Sequence, residues 1–282
     1  MVRPFKFGSE LWDPSHRFET SWLLPPYVLF FCRSVFSLYA FTTLFFVIGW
    51  SCTHPAEGSS YACEDAAANF SYFTTLTYWG IAFYFLFSSI HTFSYARWQS
   101  APLDSWPRPL QALHSLFYTT ITTFPFLVTI VYWGLLYGPE WFPTQYRAWS
   151  NISQHAMNSM FALFEIIIPR TNPAPWLHIA FLIVLLALYL SLAYLTYHTK
   201  GFYTYSFLDP GKQHSLVAAY VFGIAIAIIM IFALVWGLIW TRRWATEKKL
   251  GMDGKFARGA HPTWGGENER YEMGSPTAFA HK

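Results

Sequence analysis

The chain has 282 residues, of which charged types make up only 12% and aromatic types 21%, with a formal net charge of +3. A typical soluble domain carries about 25% charged residues, so the composition excludes an ordinary soluble fold, and no basic patch suited to nucleic acid is present. The fold class that remains is an all-α, polytopic membrane protein.

Residues 1–26 mix charges with Trp12, Trp22, Pro25 and Pro26, and read as a cytoplasmic lead-in lying against the membrane interface. Six apolar stretches follow, at 27–49, 70–94, 109–137, 151–168, 175–198 and 214–241, each to be compared with the roughly 20 residues that cross a bilayer core as helix. The first lies too far from the chain start, and lacks the small-residue cleavage site, to be a signal peptide. The third carries Thr119, Thr120, Thr122 and Thr123 ahead of Pro125, which predicts hydroxyls bonded back to carbonyls one turn earlier and a bend at the proline. The fourth is short and polar for a span, so it is predicted to be shielded by its neighbours or partly re-entrant. Residues 27–241 thus form one six-helix domain. Beyond it, residues 242–282 are Gly-rich and charged and read as a disordered cytoplasmic tail. Its Arg242, Arg243, Lys248 and Lys249 cluster reads as a stop signal and a contact for anionic headgroups.

Basic residues near the span ends set the orientation. A cytoplasmic N-terminus puts Arg17, Arg97, Arg108, Arg170, Arg242, Arg243 and the tail lysines inside, against Arg147, Lys200 and Lys212 outside. Both termini are therefore predicted to be cytoplasmic, in an endoplasmic reticulum, other endomembrane or plasma membrane. The same topology gathers Cys52 and Cys63 in one outer loop, in a compartment where disulfides persist, and predicts a bridge. Cys32, inside the first span, reads as packing. The sequons at Asn69 and Asn151 fall on the outer side too close to the membrane for glycosylation.

The fourth stretch holds Asn151, His155, Asn158 and Glu165 at spacings that keep them in one sector of a helix. An ionisable group at membrane depth costs about 2.5 to 3.5 kcal/mol on insertion scales, so that sector must face protein or water. By position in their spans, Thr74, His155 and His198 share one level of the outer leaflet. His91, His114 and His178 fall near inner ends, and Glu165 lies about 15 Å below His155 by helical rise. A hydroxyl and an imidazole at one depth suit acyl transfer, because a Thr nucleophile needs an adjacent base and His serves that role near neutral pH. These residue types by themselves leave other classes open. A Thr in a membrane helix is by default structural, and a lone His is by default an interhelical hydrogen-bond partner. Paired histidines on separate helices could be axial ligands of a haem-binding electron carrier. Glu165 and the histidines could instead line the pathway of a transporter, or sit in a non-enzymatic scaffold.

Motifs narrow the choice. Phe73-Thr74-Thr75-Leu76-Thr77 opens the second span; Trp149-Ser150-Asn151-Ile152-Ser153-Gln154-His155 continues without a gap to Phe161, Leu163 and Glu165; and His198-Thr199-Lys200-Gly201-Phe202-Tyr203-Thr204-Tyr205-Ser206-Phe207-Leu208-Asp209 follows the fifth. With Phe124-Pro125, these segments resemble the androgen-induced protein family, multi-pass intramembrane threonine hydrolases of fatty acid esters of hydroxy fatty acids. The resemblance implies that Thr74 is the nucleophile, with the register left open by Thr75 and Thr77, and that His155 is the base. On this reading Asn151 and His198 orient the dyad or the oxyanion, and Glu165 holds the fourth helix. It implies no cofactor and no metal, and its partners are membrane lipids and a lipid ester substrate. Ile152 stands where some members have a second His, which marks a distant, fungal-like branch and leaves the ester itself open.

Overall fold

The computed structural model describes residues 13–55, 63–138 and 140–252. Within them the chain is an all-α, polytopic membrane protein: the only strand-like feature among the described residues is one antiparallel bridge, Ser21 to Pro169.

Helix α1 (Pro26–Thr53) starts with a proline in its first turn, where the missing N–H would have no intrahelical partner anyway. The short α2 (Glu64–Asn69) follows the loop that Cys52 and Cys63 close as a disulfide, with Cα atoms 4.2 Å apart. Helix α3 (Phe73–Trp98) ends where Gln99 adopts a left-handed conformation, φ 56°. After α4 (Pro102–Ser105), α5 (Arg108–Val131) runs without a break into a π-helical segment, Tyr132–Leu136. Next, α6 (Gln145–Ile152), a second π-segment (Ser153–Met157) and α7 (Asn158–Ile167) form one continuous helix. The Thr144 side chain caps it by accepting from the Arg147 amide at 3.2 Å. Helix α8 (His178–Lys200) stops at Gly201, φ 78°, a position that favours glycine because no Cβ crowds the left-handed turn. The 3₁₀ turn Ser206–Leu208, α9 (Pro210–Gln213) and α10 (Leu216–Arg243) complete the bundle, and α10 runs on as a π-segment, Trp244–Lys249.

Five of these helices are long and apolar enough to cross a membrane: α1, α3, α5 with its π-segment, α8 and α10 with its π-segment. The continuous helix from Gln145 to Ile167 is the polar one and is not among these five. It survives because its polar side chains turn inward: Ser153, Asn158 and Glu165 are buried. Conversely, Phe222, Ile226, Met230 and Leu234 on α10 are 57–69% exposed. A four-residue spacing of that kind is an apolar stripe facing outward, tolerable only where lipid is the solvent. Aromatic rings fill the interior, as where Phe36 packs on Phe85, Phe161 and Phe164 with centroids 4.8 to 5.3 Å apart.

Two boundaries differ from the sequence reading. Residues 13–24 are more than a lead-in; they pack beneath the bundle, with Glu19, Thr20 and Ser21 buried and the Trp22 indole donating to the Ile167 carbonyl at 2.7 Å. Trp12 lies outside the described residues. Nor does the folded unit stop at Thr241. The Arg242 guanidinium is buried and donates to the carbonyls of Ile166, Pro169 and Thr171, the first left without a helical partner by the end of α7 and the other two in the loop that follows. Arg17 pairs with Glu247, so the first and last described segments close the same end of the bundle, here the proximal end. The disulfide marks the distal end.

Candidate active site at the distal end

Two π-segments face one another near the distal end. In a π-turn the i→i+4 ladder is interrupted, which re-aims side chains and frees carbonyls. The His155 carbonyl uses this freedom, accepting from Thr129 Oγ1 at 2.8 Å and from the Trp133 indole at 3.0 Å. The backbone of the histidine is thereby fixed from the opposite helix. Its ring lies flat on Tyr132, with centroids 3.6 Å apart and planes 7° from parallel. Tyr132 is fixed in turn, its hydroxyl donating to Asn151 Oδ1 at 2.7 Å while Asn151 Nδ2 donates to the Arg147 carbonyl at 2.9 Å. The His155 Nδ1 atom is buried with no hydrogen-bond partner among the described residues.

Tyr132 also lines an apolar cavity of ≈ 280 Å³, whose wall includes Thr74, Phe73, Tyr189, Tyr205 and Phe207. Tyr205 and Thr74 share this wall. Burial pushes the Tyr205 phenol above its ordinary value, so it stays protonated and able to donate. Tyr189 sits beside it, its hydroxyl donating to the Ser71 carbonyl at 3.1 Å.

The three adjacent threonines point to three different places. Thr74 faces the cavity that Tyr132 lines. Thr75 lines a small crevice with Asn69, Trp79 and Gln154. The Thr77 hydroxyl is spent on its own helix, donating to the carbonyls of Phe73 and Thr74 at 2.9 and 3.0 Å.

The remaining predicted residues separate. Asn151 reaches Tyr132 rather than the histidine ring. His198 is exposed in the last turn of α8 and is not part of the cavity wall. Glu165 lies toward the proximal end, where both its oxygens accept from Arg33 at 2.8 Å in a fully buried pair. Arg33 also donates to Thr92 Oγ1 and to the Phe18 carbonyl, and Tyr84 donates to Glu165. Of the histidines considered as axial ligands, His178 Nδ1 meets Thr119 Oγ1 at 2.7 Å. His91 and His114 touch edge to face, with centroids 5.4 Å apart.

Sequence reasoning passed over Arg33, Tyr132 and Tyr205. The first had a readable signal: an arginine two turns inside one apolar span requires a partner, and a glutamate in another span is the obvious one. Tyr205 stood in the motif after the fifth stretch but without a sign of what it faces, and Tyr132 had no signal, because π-turns and loop paths decide where they point.

Residues 29–241, well over half of the chain, match the FAR-17a/AIG1-like protein family, which is the androgen-induced family that the motifs resemble. No curated protein and no solved structure matches the chain.

Proposed function

Because the chain belongs to the FAR-17a/AIG1-like family, we propose that it is an intramembrane lipid ester hydrolase in which Thr74 is the nucleophile and His155 the base. The observation that carries this reading is the Tyr132 ring, which belongs at once to the wall of the cavity holding Thr74 and to the stack that fixes His155. The cavity wall is apolar, as a hydrocarbon chain requires, and the buried imidazole nitrogen lacks the partner that a structural histidine would normally have.

The chemistry follows in two steps. Thr74 Oγ attacks the ester carbonyl as its proton passes to His155; the bond to the alkoxy oxygen breaks and that proton leaves with the alcohol. Water then attacks the acyl-threonine, again losing a proton to His155, and the acid departs as the threonine hydroxyl is restored. Tyr205, a protonated donor beside Thr74, is placed to hydrogen-bond the oxyanion in each tetrahedral intermediate. The substrate is a lipid ester of the kind cleaved in this family, a fatty acid ester of a hydroxy fatty acid or a close relative, and both termini face the cytoplasm.

Labelling of the full-length protein with a fluorophosphonate probe, followed by mapping of the modified residue, tests the assignment. Modification at Thr74, lost in Thr74→Ala and in His155→Ala while both variants keep their elution profile in detergent, is the expected result. Full ester hydrolysis by either variant rejects the dyad.

A further inference from the structure

A second apolar space, ≈ 760 Å³ in volume, runs between α3, α5 and α8. Along α5 its wall extends from Leu110 to Pro125, about 22 Å by helical rise. It is open sideways, since wall residues Leu113 and Leu188 are 57% and 61% exposed, and on a membrane helix that side faces lipid. Its distal end shares Phe73 and Tyr189 with the cavity that holds Thr74.

The proximal end is different in kind. His114 is part of the groove wall there, beside Trp106, and is only 5% exposed. Its ring touches that of His91, which is 2% exposed. Neither ring nitrogen of either histidine has a hydrogen-bond partner among the described residues. Burying one such atom unpaired costs about 1 to 3 kcal/mol, and here four occur side by side. Two neutral imidazoles together present two donors and two acceptors. A carboxylic acid matches this, since its O–H donates and its carbonyl accepts. A phosphate headgroup does not, because it brings several charged acceptors and no comparable donor into a dry site.

We propose that the α3–α5–α8 groove binds a long-chain carboxylic acid, its hydrocarbon against the apolar wall and its carboxyl at the end formed by His114, with His91 packed behind that ring. This site is separate from the Thr74 chemistry and does not depend on it.

The full-length protein in nanodiscs would be photolysed with palmitic acid carrying a mid-chain diazirine. Saturable crosslinks to the α3 and α5 wall, at residues such as Phe87 and Leu116, are expected. Gly80 lines the groove, and a Cβ there meets only Phe117, at 3.7 Å, so Gly80→Leu fills the groove without touching the histidines. His114→Leu removes the head contact and leaves the groove open. Each should lower labelling about tenfold, the effect of one lost hydrogen bond or more, whereas Thr74→Ala should leave it unchanged. Unlabelled palmitic acid should displace the probe and its methyl ester, which has no O–H, should not. Absence of saturable labelling, wild-type labelling in either groove variant, or equal displacement by the ester would overturn the proposal.

Discussion

The two ends of the polar stripe on the α6–α7 helix place an ionisable side chain in the same low-dielectric interior, yet they are finished in opposite ways. At the proximal end Glu165 and Arg33 are both inaccessible, and their hydrogen bonds to each other, to Thr92, to Tyr84 and to a main-chain carbonyl satisfy the charges. At the distal end His155 is fixed through its backbone and its ring face, while Nδ1 is left without a partner. A polar group whose bonds are all made holds helices together. One that is oriented but left without a partner is, on the function proposed above, the group that takes a proton.

The comparison breaks most readily at the charged end. Arg33→Ala should destabilise the protein by about 3 to 5 kcal/mol, because it strands a buried carboxylate. The paired change Arg33→Met with Glu165→Leu should recover most of that loss, since a packed apolar pair of similar volume replaces the ions. Thermal unfolding in detergent measures both, and a double variant as unstable as the single one would show that the pair does more than hold charge.

At the other end, His155→Phe keeps a flat ring to stack on Tyr132 but carries no nitrogen. Ester hydrolysis should fall by about 10²- to 10⁴-fold, the usual contribution of a general base, with the melting temperature nearly unchanged. A large loss of stability instead would make the histidine a structural group like Glu165.

A second carboxylate tests burial without a close ion pair. Glu19, in the segment beneath the bundle, is raised from its ordinary 4.5 to about 8, first by burial and then by the neighbouring Asp13 and Asp104, with His16 at 4.0 Å. Its folded value exceeds its unfolded one, so its contribution to stability is fully present below about pH 4.5 and is lost as pH rises through about 8. Glu19→Gln should flatten this part of the pH dependence of the melting temperature and leave the variant more stable than the wild type at pH 9. An unchanged pH profile would remove Glu19 from the account.

The smallest effect is expected at Thr77. Its hydroxyl bonds only to its own helix, and such back-bonding contributes little or slightly destabilises. Thr77→Val should therefore change stability by no more than about 0.5 kcal/mol and leave hydrolysis intact, whereas Thr74→Val should lose hydrolysis altogether. Activity lost in the Thr77 variant would move the nucleophile three residues along.

Composition and periodicity were enough to read five of the six apolar stretches as membrane-length helices, the inward-facing Asn158 and Glu165 and the back-bonded threonines of the third stretch, since these depend on local sequence and on the absence of water in the bilayer. Spacing along one helix could not say which neighbour each stripe residue meets. Asn151, placed in one helix sector with His155 by spacing, meets Tyr132, and His198, placed level with His155 by depth, turns outward. The end of the folded unit was misjudged for a related reason: Arg242 looks like a flanking charge until the open carbonyls after α7 are brought to it.

The amino-acid sequence by itself determined that this chain is a helical membrane protein of the FAR-17a/AIG1-like family, and which few side chains at membrane depth could bear chemistry. Only the tertiary structure decided that Glu165 belongs to Arg33 and that Thr74, rather than Thr75 or Thr77, faces the cavity bordered by Tyr132. The physical reason is that hydrophobicity is legible residue by residue along a helix. The satisfaction of a buried polar atom depends instead on what another helix delivers to it, and here two π-turns and a loop set that delivery.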